Sequence, residues 1–198
     1  MDQPELLNLD VGAAEHALSR RRFLKGIAYG SAMAFGTPKV VQASFSGFNA
    51  DKTLFLEHHH TGESLKLTYF ERGRYVYGAL EEVSYFLRDY HNDRMHSVDP
   101  ALLDQLYDVK LLLGSNKPFH IVSGYRSPET NASLRRHSHG VARNSLHMEG
   151  KAVDIRMEGY SARTIRDAAL ALQIGGVGYY PRSNFVHLDT GDIRTWRG

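Results

Sequence analysis

Two stretches of this sequence decide the fold and carry its chemistry: Ser145-Leu146-His147-Met148-Glu149-Gly150-Lys151-Ala152-Val153-Asp154 and Phe185-Val186-His187-Leu188-Asp189. In the first, Gly150 permits a tight turn between a loop carrying His147 and a strand carrying Asp154, so that both side chains can converge on one point. Strand alternation places Asp154 on the face opposite Val153. The same alternation sends His187 and Asp189 to one face of the second strand.

These residues predict a metal site. A carboxylate in an apolar strand such as that of Asp154 is costly to bury unless a positive charge lies beside it, and a divalent cation meets that need. Two imidazoles, from His147 and His187, and one carboxylate suit zinc and leave a fourth position for water, as in catalytic zinc sites. Spacing alone leaves open a second interpretation, in which a core histidine is hydrogen-bonded to a nearby acid without any metal.

The surrounding segments predict an α+β fold: one compact domain with a central antiparallel-type sheet that carries the zinc site, and helices at its flanks. Strands are predicted at 53–57, 65–70, 119–123, 152–155, 177–180 and 185–189. Helices are predicted from the apolar spacing of residues 80–90, after Asp99-Pro100 as far as Gly114, through Leu134, and after Ser161.

Composition narrows the possible functions. Hydrophobic residues make up 42% of the chain and charged residues 23%, which is ordinary for a globular protein. The net charge of +2 is too small to favour a nucleic-acid partner. Because the chain has no cysteine, disulfides, thiol nucleophiles and cysteine-ligated zinc are excluded, and any metal site must use His, Asp or Glu.

The N-terminal segment has the features of an export signal. Ser19-Arg20-Arg21-Arg22-Phe23-Leu24-Lys25 resembles the twin-arginine signal, and a short apolar stretch and the small-residue site ending at Ala43 follow it. The sequence therefore predicts a signal over residues 1–43, cleaved after Ala43, and one folded domain over 44–198 that carries the predicted zinc site. The expected location is the periplasm, and no stable membrane span is expected in the mature protein.

A family resemblance strengthens the metal interpretation. The pattern S-x-H-x-x-G-x-A-x-D is the signature of the zinc D-Ala-D-Ala carboxypeptidase family, which is related to lysostaphin-type and hedgehog-like zinc sites. This sequence matches all of its fixed positions: Ser145, His147, Gly150, Ala152 and Asp154. The segments 123–127, 175–181 and 185–191 resemble the subgroup of that family containing murein endopeptidase K of Gram-negative bacteria.

The resemblance implies that the domain over 44–198 is a zinc peptidase, with one Zn²⁺ per chain held by His147, Asp154 and His187, and peptidoglycan peptide stems as the partner. It implies hydrolysis of murein cross-links, including those between two diaminopimelate residues. Two alternatives stay open: a D,D- or L,D-carboxypeptidase that trims stem peptides, and a zinc-retaining module that binds peptidoglycan without cleaving it.

The identity of the general base is open in the sequence. Many members of the family place Glu or Asp three residues before the last zinc histidine, where this chain has Asn184. Asp189 is predicted either to replace that base or to orient His187 as a hydrogen-bond partner. Glu149, between the first two ligands, is a weaker candidate. The resemblance assigns Arg126 to the developing oxyanion or to a substrate carboxylate.

Four further residues are predicted to bind substrate. Ser123 and Ser145 can hydrogen-bond a bound peptide or cap local backbone. Tyr179 and Tyr180 are predicted to form a wall of the cleft, although aromatic residues in strands more often face a core.

Overall fold

An eight-stranded sheet with helices packed on one face makes up the structure, a computed structural model that describes residues 50–137 and 140–198. The strands are β1 (Lys52–His58), β2 (Ser64–Glu71), β3 (Arg74–Tyr75), β4 (Phe119–Ser123), β5 (Ala152–Met157), β6 (Gly176–Tyr180), β7 (Phe185–Asp189) and β8 (Arg194–Arg197). The helices are α1 (Tyr77–Phe86), α2 (Pro100–Leu113), α3 (Pro128–His137) and α4 (Ala162–Leu172), with one 3-10 helix, Leu146–Glu149.

The sheet is mixed, which corrects the predicted antiparallel type. Its strand order is β3-β2-β1-β4-β5-β7-β6-β8. Strand β1 pairs with β4 in parallel, and so does β6 with β8, whereas the other neighbours are antiparallel. The predicted α+β composition and single domain agree with the described residues. Local patterns could not give the parallel pairings, because they join strands far apart in sequence or depend on the short strand β8.

Local signals set the helix ends as the sequence indicates. The side chain of Asp99 accepts a hydrogen bond from the Ala101 amide at 3.0 Å and caps α2, whose first residue is proline. That helix ends at Gly114, which has the left-handed conformation typical of a helix C-terminus. The hydroxyl of Ser161 caps α4 by accepting from the Thr164 amide at 3.1 Å.

The two faces of the sheet have different partners. Helix α4 packs on β5, β6 and β7, helix α2 on β1, and helix α1 on β2. Val153, Ile155 and Leu188 are fully buried in the core, on the face covered by the helices. Alternation therefore turns Asp154, paired with His187 in the register, to the other face, which we call the site face.

Three short elements were not predicted: β3, β8 and the 3-10 helix. The predicted export signal lies outside the described residues. Among residues 50–137 and 140–198, none of the helices is long and apolar enough to cross a membrane.

Gly150 connects the 3-10 helix to β5 and permits close backbone packing. Its φ of 65° lies in the left-handed region, and a Cβ atom there would collide with the carbonyl oxygen of Ser97. The Gly150 carbonyl accepts a hydrogen bond from the Asp99 amide at 2.9 Å. The turn that brings His147 of the 3-10 helix next to Asp154 of β5 therefore depends on the absence of a side chain at Gly150.

We expect Gly150→Ala to lower the free energy of unfolding by about 2 kcal/mol or more, because strain at positive φ adds to a backbone collision. Urea titration followed by circular dichroism measures the change. Gly78→Ala in α1 is the matched control, since a Cβ there meets no atom within 4 Å. A Gly150→Ala variant as stable as the control would contradict this account of the turn.

Candidate metal centre

Three buried side chains converge on the site face. His147 Nε2 lies 3.1 Å from His187 Nδ1, and His187 Nδ1 lies 2.9 Å from Asp154 Oδ1. His147 Nε2 is 3.4 Å from Asp154 Oδ1, which closes the triangle. All three residues are less than 9% exposed. Within the described parts of the chain, this is the group of His and acidic residues whose donor atoms lie close enough to hold a metal ion.

Different elements deliver the three residues. Asp154 lies in the middle of β5 and is paired with His187 of the adjacent strand β7, so the sheet register fixes their separation. His147 comes from the 3-10 helix, which packs against β5. The backbone carbonyl of His147 also accepts a hydrogen bond from the Arg126 amide at 3.1 Å, tying the 3-10 helix to the loop after β4.

Hydrogen bonds on the outer side of each imidazole select the nitrogen that faces the cluster. His147 Nδ1–H donates to the carbonyl oxygen of Gly124 at 2.8 Å, which directs Nε2 to the cluster. His187 Nε2–H donates to Asp189 Oδ2 at 2.9 Å, which directs Nδ1 to the cluster. Such outer partners are typical of metal-binding histidines, because they fix the ring orientation and the tautomer.

The donor set fits a divalent cation. Ligand atoms around one tetrahedral zinc ion stand roughly 3.4 Å apart, given metal–ligand distances of about 2.0–2.2 Å. The three observed separations, from 2.9 to 3.4 Å, are close to that value. Two neutral nitrogens and one carboxylate oxygen in a buried setting are also the donors that zinc prefers.

Burial and charge shift the pKa values at the cluster in opposite directions. Desolvation lowers the pKa of His147 in spite of the nearby Asp154 carboxylate. Burial would also lower the pKa of His187, but its hydrogen bonds to Asp154 and Asp189, together with their charges, raise it to about 9. Burial opposes ionisation of Asp154, yet the two imidazoles hold the pKa of its carboxyl well below the usual range.

Asp189 is fully buried, and its carboxylate contacts the outer nitrogen of His187, Nε2, on the side of the ring that faces away from His147 and Asp154. Oδ1 accepts from the amides of Gly176 and Gly191 at 3.0 and 2.9 Å. Arg194 donates to both oxygens, through Nη1 to Oδ1 at 3.0 Å and through Nη2 to Oδ2 at 2.7 Å. Of the two roles that the sequence left open, this geometry favours the orienting partner of His187 over the general base.

Arg126 lies beside the cluster. Its Nη2 is 3.6 Å from Asp154 Oδ2 and 3.3 Å from the Ser123 hydroxyl, while Nη1 donates to Asn131 Oδ1 at 3.4 Å. Its side chain is 12% exposed. The guanidinium is therefore held in place within a few ångström of the predicted metal position.

The predicted substrate residues divide between the two faces. Ser123 pairs with Asp154 across a bulge, and Ser145 is buried at the start of the 3-10 helix. Tyr180 stacks on Phe185 at a ring separation of 4.4 Å on the site face. The prediction for Tyr179 is wrong: this side chain packs against the core under Arg166 of α4, on the opposite face, as strand alternation requires.

Two residues of β8 also belong to the site. Trp196 lies 5.1 Å from the His187 ring, and its indole N–H donates to the Tyr180 hydroxyl at 2.9 Å. Arg194 holds Asp189, as described above. Sequence reasoning missed both, because Arg194–Arg197 is short, charged and without apolar alternation. Arg194 and Trp196 are two positions apart, so in a strand they would face the same side of the sheet. That pattern could be used only if residues 194–197 had been predicted as a strand.

Two other candidates lie apart from the cluster. Asn184, at the position where the family resemblance anticipates a base, is exposed in the β6–β7 turn with a φ of 51°. Glu149 forms an ion pair with Lys151 at 2.9 Å on the surface. Neither residue therefore contributes a carboxylate that faces the three clustered side chains.

Comparison with known proteins gives a consistent set of relatives. A family model described as peptidoglycan L,D-endopeptidase MepK matches residues 48–196. The peptidoglycan L,D-endopeptidase MepK of Escherichia coli (strain K12) is 45% identical over 180 residues, covering 90% of this chain and 97% of that protein. The protein of the same name from Shigella flexneri gives the same values. The crystal structure of Serratia marcescens L-Ala D-Glu endopeptidase ChiX covers 48% of this chain and 68% of that one, at 20% identity and a TM-score of 0.33.

We expect binding of a divalent cation, tested with Zn²⁺, to release about one proton per site at pH 7.5. His187 is protonated in the metal-free protein below its pKa of about 9, whereas His147 and Asp154 are already deprotonated. The apparent affinity should therefore rise about tenfold per pH unit up to that pKa and then level off. Calorimetry in buffers of different ionisation enthalpy counts the protons.

Asp189→Asn is the informative variant for this measurement. It removes one of the two carboxylates that raise the pKa of His187, so the pH at which proton release stops should fall. Proton release that is absent at pH 7.5 in the wild type would contradict the assigned protonation states.

Proposed function

This chain belongs to the peptidoglycan L,D-endopeptidase MepK family, and from that premise we propose that it is a zinc-dependent murein endopeptidase that hydrolyses peptide cross-links. The observation that carries the proposal is the buried triangle of His147 Nε2, Asp154 Oδ1 and His187 Nδ1, with separations of 2.9 to 3.4 Å. These three atoms would hold one Zn²⁺ per chain. When bound, zinc supplies a Lewis acid that polarises the scissile carbonyl and lowers the pKa of a water molecule.

Arg126 is proposed as the residue that binds negative charge at the reacting centre. Its guanidinium is fixed by Ser123, Asn131 and Asp154, so it needs little reorganisation when charge develops on the carbonyl oxygen. The same fork can instead hold a substrate carboxylate next to the scissile bond. Either role places the reacting amide between Arg126 and the three ligands.

Asp189 is proposed to keep His187 in the ligating tautomer. Its fixed carboxylate accepts the Nε2 proton of His187, and Arg194 balances its charge. Ser123, Ser145 and Tyr180 remain proposed contacts of the peptide on the site face.

A peptidoglycan endopeptidase acts outside the cytoplasm, where its polymer lies. We propose that residues 1–43 are a twin-arginine signal that delivers the folded domain to the periplasm. The matched motif Ser19-Arg20-Arg21-Arg22-Phe23-Leu24-Lys25 supports this proposal.

Removing one ligand should abolish hydrolysis. We expect His147→Ala and Asp154→Asn to lower zinc affinity and the cleavage rate of purified cross-linked muropeptide dimers at least about 100-fold. Mass spectrometry of the products, and metal content by plasma emission, measure the two effects. His137→Ala is a matched control, because His137 is exposed on α3 and outside the cluster.

The products also separate the candidate functions. An endopeptidase converts cross-linked dimers to monomers, whereas a carboxypeptidase shortens monomers only. Cleavage of monomers alone would reject the endopeptidase. If the wild type binds sacculi in the presence of zinc but releases no product, the protein is a binding module.

Export has its own test. Replacing Arg20 and Arg21 together by lysine should retain the protein in the cytoplasm, because the twin-arginine pathway reads that pair. Immunoblots of periplasmic and cytoplasmic fractions measure the distribution, and Lys39→Arg serves as a control outside the motif. Undiminished periplasmic protein in the double variant would contradict the twin-arginine route.

A further inference from the structure

Arg156 is a second arginine on the site face. It follows Asp154 by two positions on β5, so strand alternation places both side chains on the same side of the sheet, about 7 Å apart along the strand. In the register of the sheet, Arg156 pairs with His120 of β4, and Asp154 pairs with Ser123 at the other end of that strand.

The guanidinium of Arg156 is half-buried and poorly satisfied. Nη2 donates to the carbonyl oxygen of Ser183 at 2.9 Å, while Nε is shielded from solvent without a hydrogen-bond partner in the described part of the chain. The ion pairs formed within residues 50–137 and 140–198 do not include Arg156. A guanidinium has five N–H donors, and shielding them without a partner is costly.

The neighbouring strands do not supply the missing anion. Glu57 of β1 pairs with His120 in the sheet register, and its carboxylate lies 3.3 Å from His120 Nδ1. The carboxylate of Asp154 faces His147, His187 and Arg126. The carboxylates of Glu57 and Asp154 therefore contact imidazoles or Arg126.

Arg126 and Arg156 lie at opposite ends of the β4–β5 strand pair. Arg126 follows Ser123, where β4 ends beside Asp154, whereas Arg156 lies beside His120, near the start of β4. Because β4 and β5 are antiparallel, the line from Arg126, which contacts Ser123 and Asp154, to Arg156 runs along the strands. A peptide bound along this line would meet one guanidinium on each side of its scissile bond.

We propose that Arg156 binds a carboxylate of the substrate peptide on the side of the scissile bond opposite to Arg126. The proposal rests on the proposed endopeptidase function and names a feature of its substrate. A cross-link joins two acidic stem peptides, so free carboxylates stand on both sides of the bond that is cut. A carboxypeptidase that releases one terminal residue has less use for a second guanidinium on the far side.

The experiment uses synthetic cross-linked dimers of diaminopimelate-containing stems in three forms. One dimer keeps all carboxylates. The second and third each carry a single diaminopimelate carboxylate as the primary amide, in the stem that provides the scissile carbonyl or in the stem that provides the amine. Values of kcat and KM are measured for the zinc-loaded wild type, Arg156→Gln, Arg156→Lys and Arg163→Gln.

We expect Arg156→Gln to raise KM for the unmodified dimer about tenfold, as for loss of a charged hydrogen bond, with kcat changed less than about twofold. The increase should disappear with one of the two amidated dimers and persist with the other. Arg156→Lys should give a smaller increase, because lysine keeps the charge and loses the fork. Arg163→Gln, on the exposed side of α4, should behave as the wild type.

Three results would overturn the proposal. The first is an unchanged KM in Arg156→Gln. The second is an equal rise in the KM of Arg156→Gln for all three dimers, which would mean that Arg156 only stabilises the turn at Ser183. The third needs no variant: amidation of the carboxylate that Arg156 binds should raise the KM of the wild type, so a wild-type KM that neither amide changes would leave Arg156 without a carboxylate to bind.

Failure of the proposed function is separable from failure of this inference. If the wild type cleaves no dimer, calorimetric binding of the same dimers to the wild type and to Arg156→Gln still measures the contact. If the variant binds the unmodified dimer more weakly than the wild type does, and only one of the two amides removes this difference, Arg156 is a carboxylate site even without hydrolysis. Equal binding by both proteins would reject it.

Discussion

Asp154 places a buried carboxylate at the centre of the sheet. The surrounding side chains are arranged so that positive charge and hydrogen-bond donors lie beside it. The residue is 7% exposed, and its carboxylate lies against His147, His187 and Arg126. A carboxylate removed from water in this way needs compensating positive charge. In the metal-free protein, protonated His187 and the arginine provide it. A divalent cation held as proposed by His147, Asp154 and His187 would supply that positive charge directly, and both imidazoles would then be neutral.

The register of the sheet makes this compensation possible. A shift of one residue between β5 and β7 would turn His187 into the core and bring a leucine or valine to the site face. The fully buried side chains of Val153, Ile155 and Leu188 oppose such a shift. The hydrophobic core beneath α4 therefore determines the geometry of the polar site on the other face, and the two cannot vary independently.

The last strand completes the site from its edge. Arg194 and Trp196 have the same parity as Asp189 and His187, because β8 runs parallel to β6 in register. Space for them comes from glycine: a Cβ atom at Gly178 would come within 2.6 Å of the Trp196 ring. A layer of hydrogen bonds then runs from Arg194 through Asp189 to His187. Arg126 lies 3.6 Å from Asp154, and Arg156 follows Asp154 by two positions on the same face of β5.

The sequence by itself determined the three clustered residues, the α+β composition, the caps at Asp99 and Ser161 and most element boundaries. These depend on local patterns: strand alternation, helix spacing, capping residues and one short motif. Only the tertiary structure decided the parallel pairings, the placement of β8, the hydrogen-bond partners of Asp189 and the packing of Tyr179 against the core. Each depends on which distant strand lies alongside. His147 and Asp154 could be paired from a spacing of seven residues, but Arg156 and Ser183 meet only because the sheet brings β5 beside the β6–β7 turn.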